Sequence, residues 1–98
     1  MSLSYFDALR DAMMEASALP NTLFVGQGVR WDNNAQFRTL PDVPDERKIE
    51  LPVIEDFQAG FCLGLALQGY LPICIYPRWD FAILAANQIV NHIDKLPY

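Results

Sequence analysis

The segment LPVIEDFQAGFCLGLALQGYLPICIY, from Leu51 to Tyr76, contains a predicted helix and a predicted strand joined by a glycine. Its apolar residues and spaced glycines predict a helix from about Asp56 to Gln68, and Gly69 is suited to end it because glycine adopts the left-handed conformation at helix C-termini. The run from Leu71 to Tyr76 is uniformly apolar, as expected of a parallel strand buried on both faces. Glu55 precedes the helix, where burying a charge is costly unless a partner group pairs with it.

The sequence before this segment predicts a helix, a strand and a long loop. Ser4 followed by Asp7 indicates the start of the first helix, whose apolar residues Phe6, Leu9, Met13 and Ala16 recur at helical spacing. A short apolar run from Leu23 to Val25 predicts a buried strand that leads into a glycine turn. From residue 30 to residue 50 the chain is polar and broken by prolines, which predicts a long loop.

The sequence after the segment predicts a third helix, from about Phe81 to Lys95, with Asp80 suited to cap it. Its inward side chains are expected to be the apolar ones at helical spacing: Ile83, Ala86, Ile89, Val90 and Ile93. The order is therefore helix, strand, loop, helix, strand, helix. This order predicts a single α/β domain over residues 1–98, a parallel sheet with flanking helices.

Composition and charge exclude several classes of protein. The chain has 98 residues, of which 52 % are apolar, so it can bury one core and is unlike a disordered segment. Its formal net charge of −5 disfavours a nucleic-acid-binding surface, which requires a basic stripe. Gln68, Gly69 and Pro72 interrupt the long apolar run, so each piece is too short to span a membrane. Residues 1–3 are interpreted as a possible cloning remnant.

Cysteine usage indicates the compartment. Cys62 and Cys74 lie within apolar runs, at a spacing that suits no zinc motif. We expect two free thiols rather than a disulfide, which favours a reducing, cytoplasmic setting. The N-terminus lacks a basic segment followed by an apolar one, so no signal peptide is predicted.

Short motifs follow one another along most of the chain. They are Gly26-Gln27-Gly28-Val29, Leu51-Pro52-Val53-Ile54-Glu55, Gly60, Gly64, Gly69, Pro72, Asp80-Phe81, Gln88-Ile89-Val90-Asn91, Lys95 and Tyr98. In combination they resemble the pyrimidine-binding domain of thiamine-diphosphate enzymes, in the transketolase-like group. The similarity is greatest to the beta subunit of the first component of 2-oxo-acid dehydrogenases, a family of oxidoreductases. It covers about residues 21–98 and needs no gap after Pro52.

This resemblance implies a thiamine-diphosphate-binding fold and gives roles to four residues. Glu55 falls at the family's catalytic glutamate, which hydrogen-bonds a ring nitrogen of the aminopyrimidine and promotes the imino tautomer that deprotonates the thiazolium carbon. Phe81 falls where the family has an aromatic ring on the pyrimidine, and Val53 and Gln27 are implied as further cofactor-binding residues. Without the resemblance, Glu55 would be interpreted as a first-turn glutamate favoured by the helix dipole, and Phe81 as an apolar first-turn residue.

Two departures from the family pattern concern the chemistry. Gln27 replaces the family's acid, which takes part in a proton relay between paired active sites; glutamine keeps the hydrogen bonding but cannot titrate. Phe57 replaces a family glycine near the pyrimidine. Both departures bear on whether the chain is active, and the substrate does not follow from the sequence.

The resemblance also implies a partner. The family binds the diphosphate and magnesium through a Gly-Asp-Gly segment that this sequence lacks, so the cofactor would be shared with a partner chain that holds the metal, and no metal ligand is assigned to this chain. His92 is interpreted as a helix-terminal histidine rather than a ligand. We therefore expect a homodimer or a hetero-oligomer with a diphosphate-binding subunit.

Three functional hypotheses follow. The first is the pyrimidine-binding half of a thiamine-diphosphate-dependent enzyme, a 2-oxo-acid decarboxylating dehydrogenase or a transketolase-like enzyme, inactive alone. The alternative is a non-catalytic dimerisation or regulatory module descended from that domain. A third hypothesis is that the chain is part of a longer enzyme truncated at Tyr98, since a parallel sheet of two strands needs more neighbours.

Overall fold

The computed structural model describes residues 4–30 and 37–96. The possible cloning remnant at residues 1–3 and the motif match at Tyr98 lie outside these ranges. No helix within them is long and apolar enough to cross a membrane.

A three-stranded parallel sheet forms the centre of the molecule. Its strands are β1 (Thr22–Gly26), β2 (Lys48–Glu50) and β3 (Leu71–Ile75), in the spatial order β2-β1-β3. Phe24 of β1 is paired with Lys48 on one side and Ile73 on the other. The predicted α/β class, a parallel sheet with flanking helices, is confirmed.

Two long helices flank the sheet. The first, α1 (Tyr5–Ser17), begins where the Ser4 hydroxyl oxygen accepts a hydrogen bond from the backbone N–H of Asp7, at 3.0 Å. The second, α2 (Glu55–Leu67), includes Glu55 as its first residue. Gly69 ends α2 with φ of +93°, and the following N–H of Tyr70 reaches back to the carbonyl oxygen of Leu65, as in a Schellman motif.

The region from residue 30 to residue 50, predicted as one long loop, contains regular structure. Single 3-10 turns cover Phe37–Thr39 and Asp45–Arg47, and β2 follows directly. Leu40 and Val43 are buried in the main core with Phe24 and Val29; Met13, Ala16, Ile73 and Ile75 pack around this cluster. The sequence gives little sign of β2 because its three residues are too few to show a strand's alternation, and its partners lie more than twenty residues earlier.

The C-terminal helical segment differs from the prediction. It consists of a 3-10 helix (Trp79–Ala85), one turn of α-helix, α3 (Ala86–Gln88), and a π-helical turn (Ile89–Ile93), and Asp80 lies inside it rather than capping it. Ala82 and Ala85 are buried; they are three residues apart, which places them on one face of a 3-10 helix. The expected inward residues are instead exposed: Ile83, Ala86, Ile89, Val90 and Ile93.

Candidate functional site

The carboxyl ends of the strands and the first turn of α2 meet at one edge of the sheet. Gly26 ends β1 there beside Ile75, and the backbone N–H of Leu51 donates to the Gly26 carbonyl oxygen at 2.9 Å. A Cβ atom at Gly26 would come within 2.1 Å of the carbonyl oxygen of Ile75. Only glycine therefore fits where β1 passes β3.

Glu50 fixes the turn that follows β1. Its carboxylate accepts hydrogen bonds from three successive backbone N–H groups, those of Gly28 at 2.9 Å, Val29 at 3.0 Å and Arg30 at 3.1 Å. Charge-assisted bonds of this kind are stronger than neutral ones. Glu50 thus ties the end of β2 to the turn that contains Gly28, whose φ of +72° favours glycine.

Glu55 is buried at the first turn of α2, with a relative exposure of 6 %. Its backbone carbonyl oxygen accepts a hydrogen bond from the Tyr76 hydroxyl at 3.2 Å, which joins the helix start to the residue after β3. Within residues 4–30 and 37–96, no group hydrogen-bonds the carboxylate oxygens of Glu55. The carboxylate therefore has acceptor capacity available for a hydrogen bond from a bound group.

Gln27 and Gln58 form a pair of buried amides beside Glu55. Gln58 is fully buried, and its amide nitrogen donates to the Ile75 carbonyl oxygen at 2.8 Å and faces the Val25 carbonyl oxygen at 3.4 Å. The Gln58 amide oxygen accepts from the Gln27 amide nitrogen at 3.4 Å. The acceptors around Gln58 thus fix both amides, and Gln27 must present its N–H group to Gln58.

A second polar chain lies on another side of α2. Asp56 accepts a hydrogen bond from the Gln88 amide nitrogen at 3.4 Å, while its other carboxylate oxygen is buried without a partner in the described part of the chain. The Gln88 amide oxygen lies 2.8 Å from Nδ1 of His92. His92 is exposed near the end of the C-terminal helical segment, as predicted for a helix-terminal histidine.

The remaining predicted site residues lie nearer the surface. Phe81 belongs to the 3-10 helix that packs against α2 and is 36 % exposed. Val53, before α2, is 74 % exposed. Phe57 points away from the buried face of α2 and packs on Phe61, with ring centroids 5.8 Å apart. Of the four predicted residues, the structure buries Glu55 and Gln27 on the same side of α2 and leaves Phe81 and Val53 accessible.

The thiols of Cys62 and Cys74 and the phenol of Tyr76 lie where α2 packs on the end of β3, near the Gln58 amide. Both cysteines are free, with Cys62 buried on α2 and Cys74 exposed on β3. A hydrogen bond from Cys62, with further ones from Gln58 and Tyr76, lowers the pKa of Cys74 to about 6. The same contact and burial raise the pKa of Cys62, and burial, followed by the neighbouring Cys74, raises the pKa of Tyr76.

The donor set fits the heterocyclic part of the cofactor that the resemblance implies. The Glu55 carboxylate, which no described residue hydrogen-bonds, can accept a hydrogen bond from a ring nitrogen, and the accessible ring of Phe81 offers an apolar surface. Among the described residues, no three histidines, cysteines or carboxylates are grouped to hold a metal ion.

The sequence did not single out two residues of this site, Gln58 and Glu50. Gln58 lies on the buried face of α2 with Glu55, Ala59 and Cys62, so an amide at that spacing in an apolar run was an available signal. Glu50 had no such signal, because its three partners lie about twenty residues earlier in the chain.

Comparison with known proteins finds beta subunits of pyruvate dehydrogenase and 2-oxoisovalerate dehydrogenase among the relatives of this chain. The chain is 32 % identical over 96 residues to the pyruvate dehydrogenase E1 component subunit beta, mitochondrial, of Chaetomium thermophilum, which covers 94 % of this chain and 25 % of that protein. It is 33 % identical over 102 residues to the pyruvate dehydrogenase E1 component subunit beta of Rickettsia bellii, with 100 % and 31 % covered. It is 31 % identical over 100 residues to the 2-oxoisovalerate dehydrogenase subunit beta of Bacillus subtilis, with 98 % and 31 % covered.

These relatives confirm the resemblance that the motifs indicated. The chain spans about a quarter to a third of the length of these proteins. No protein-family model matches it.

Proposed function

We infer that this chain, which is related over its whole length to the beta subunits of 2-oxo-acid dehydrogenases, is the pyrimidine-binding part of a thiamine-diphosphate-dependent enzyme. Its task is to hold the aminopyrimidine of the cofactor with Glu55. The reaction is the decarboxylation of a 2-oxo acid or a ketol transfer of the transketolase type.

The observation that carries the proposal is the buried side chain of Glu55 at the strand ends, whose carboxylate has no hydrogen-bond partner within residues 4–30 and 37–96. Ligands of α/β proteins bind outside the carboxyl ends of the strands, which is where α2 begins. A carboxylate accepts a hydrogen bond from a ring nitrogen and can share its proton.

The surrounding residues orient the carboxylate. Tyr76 holds the backbone of Glu55, and Gln58 joins the next turn of α2 to the ends of β1 and β3. Phe81 supplies an apolar face for a heterocycle, and Gln27 adds a neutral amide where no proton can be exchanged. Bound thiamine diphosphate supplies the carbanion-stabilising chemistry itself.

A partner chain completes the proposed site. The chain covers less than a third of its relatives, and we assign the diphosphate and magnesium to a second subunit in a homodimeric or hetero-oligomeric assembly. Val53, exposed beside α2, is placed to contact the cofactor or that subunit. We further propose a cytoplasmic location.

Calorimetric titration of thiamine diphosphate with magnesium into the assembled protein tests the proposal. Glu55→Gln keeps the size of the side chain but removes its charge, and a hydrogen bond involving a charged group is worth about 1.5–3 kcal/mol. We expect affinity to fall by roughly 10- to 100-fold, and turnover by about 10²- to 10⁴-fold. Glu46→Gln, at an exposed acid of the turn before β2, is the matched control and should change neither quantity.

Equal affinity for the cofactor in Glu55→Gln and Glu46→Gln would contradict the proposal. The second candidate, a non-catalytic dimerisation or regulatory module, is favoured by the neutral Gln27–Gln58 pair, which cannot exchange protons. That module would assemble with its partner yet show no rise in melting temperature with thiamine diphosphate and magnesium. A cofactor-dependent rise that disappears in Glu55→Gln excludes it.

A further inference from the structure

Cys62 and Cys74 lie on opposite sides of one packed interface. On α2, the buried positions Glu55, Gln58, Ala59 and Cys62 form a single stripe that faces the sheet. The Gln58 amide nitrogen of that stripe lies 3.2 Å from the Cys74 sulfur, so Cys74 points toward α2. Cys62 is one helical turn beyond Gln58 on the same buried face of α2, the face toward which Cys74 points.

The two thiols have different environments. Cys74 lies on β3, at an edge of the three-stranded sheet, and is exposed, whereas Cys62 is 6 % exposed. The Gln58 amide nitrogen donates a hydrogen bond to the Cys74 sulfur at 3.2 Å, and Cys62 lies on the same face of α2 as Gln58. Donors of this kind stabilise a thiolate, and their effect on the pKa of Cys74 is in that direction. An accessible thiolate beside a second cysteine is the arrangement of a redox-sensitive pair.

We propose that Cys74 is a site of oxidation by hydroperoxides and that Cys62 converts the product into a disulfide between α2 and β3. In the first step the Cys74 thiolate attacks a peroxide oxygen, an S–O bond forms, the O–O bond breaks, and the released hydroxide or alkoxide takes a proton from solvent and leaves as water or an alcohol. The sulfur loses two electrons to the hydroperoxide. In the second step the Cys62 sulfur attacks the Cys74 sulfur, and the hydroxide of the sulfenic acid leaves as water with the Cys62 proton.

The test treats the reduced, purified protein with one equivalent of hydrogen peroxide, followed by intact-mass measurement and peptide mapping. We expect the loss of two hydrogen atoms, a peptide that links Cys62 to Cys74, and reversal by dithiothreitol. In Cys62→Ala, dimedone should trap a sulfenic acid at Cys74. In Cys74→Ser, labelling at the buried Cys62 should be at least about tenfold slower.

Three results would overturn the proposal: no linked peptide, linkage of Cys74 only to other molecules, or equal dimedone labelling of the two single variants. Far-UV circular dichroism establishes that each variant is folded, and Cys74→Ala replaces Cys74→Ser if the hydroxyl disturbs β3. This inference is independent of the cofactor, because all of its measurements are made without thiamine diphosphate.

Discussion

Replacing Gln58 by leucine tests how the site is held together. The substitution keeps a side chain of similar length in a fully buried position but removes the amide that reaches Ile75, Val25 and Gln27. The Gln27 amide nitrogen then loses its acceptor, and the Ile75 carbonyl oxygen loses its shortest side-chain donor. Each buried group left without a partner costs about 1–3 kcal/mol.

We therefore expect Gln58→Leu to lower the free energy of unfolding by about 2–4 kcal/mol, with partial compensation from the added apolar contact. For a domain of this size that corresponds to a fall in melting temperature of roughly 10–20 °C. Urea unfolding monitored by circular dichroism measures the free energy. Gln68→Leu, at the exposed C-terminal end of α2, is the matched control and should stay within about 0.5 kcal/mol of the parent.

The double variant Gln27→Leu with Gln58→Leu separates an unmet hydrogen bond from a simple packing defect. Removing both partners leaves no orphaned amide between them, so the double variant should be less destabilised than the sum of the two single variants. If Gln58→Leu unfolds at the same urea concentration as Gln68→Leu, or if the two single effects add, the amide pair does not have the role described here.

Further predictions concern charge. Glu50→Gln should lower the free energy of unfolding, measured with urea, by about 1–3 kcal/mol, because an uncharged amide cannot replace the charged carboxylate as acceptor for all three N–H groups of the turn. An unchanged free energy of unfolding would contradict this prediction. The Nε atom of Arg10 lies 2.8 Å from the Asp42 carboxylate and lowers the pKa of that carboxyl. The ion pair therefore stabilises the fold above the unfolded pKa of Asp42, near 3.8, and this stabilisation is lost as pH falls through the lower pKa of the folded state. Melting temperatures of Arg10→Ala, measured against pH, should lack this loss at acid pH. Gln27→Glu places a carboxyl group against the Gln58 amide oxygen, which raises the pKa of that carboxyl in the folded state. The stability of the variant relative to the parent should therefore fall as pH rises above about 4.3. A stability difference that does not change with pH would refute this prediction.

The central part of the fold could be predicted because its signals are local. The C-terminal end of α2 follows from Gly69, and β3 from an apolar run; the expected burial of β3 on both faces was wrong, because β3 lies at an edge of the sheet with Leu71 and Cys74 exposed. β2 could not be predicted, because a strand of three residues has no period and is defined by its ladder with β1. The C-terminal helical segment was assigned the wrong buried face, because the same apolar sequence serves a helix of 3.6 or of 3.0 residues per turn, and packing of Ala82 and Ala85 on α2 selected the second.

The candidate site was predictable to a similar extent. The resemblance implies Glu55 and Gln27 as site residues, a prediction that remains to be tested, and the charge before an apolar helix independently indicates Glu55. Gln58 and Glu50, which position them, act through hydrogen bonds to residues at least fifteen positions away, and no local pattern encodes those bonds. Helix caps and apolar periods could be predicted because they depend on residues that are close in the sequence. The hydrogen bonds of Gln58 and Glu50 could not, because they depend on the order of the strands in the sheet.

The burial of Glu55 is itself a consequence of these anchors. The start of α2 is held by the Tyr76 hydroxyl on the Glu55 carbonyl, by Gln58 on the strand ends, and by the Leu51 N–H on the Gly26 carbonyl. These contacts come from β1, from Ile75 and Tyr76 at the end of β3, and from the segment between β2 and α2, so the backbone of Glu55 is positioned before any ligand arrives. Preorganisation of this kind lowers the reorganisation cost of binding, which is why we place the recognition of the heterocycle at Glu55 rather than at the more exposed Phe81 or Val53.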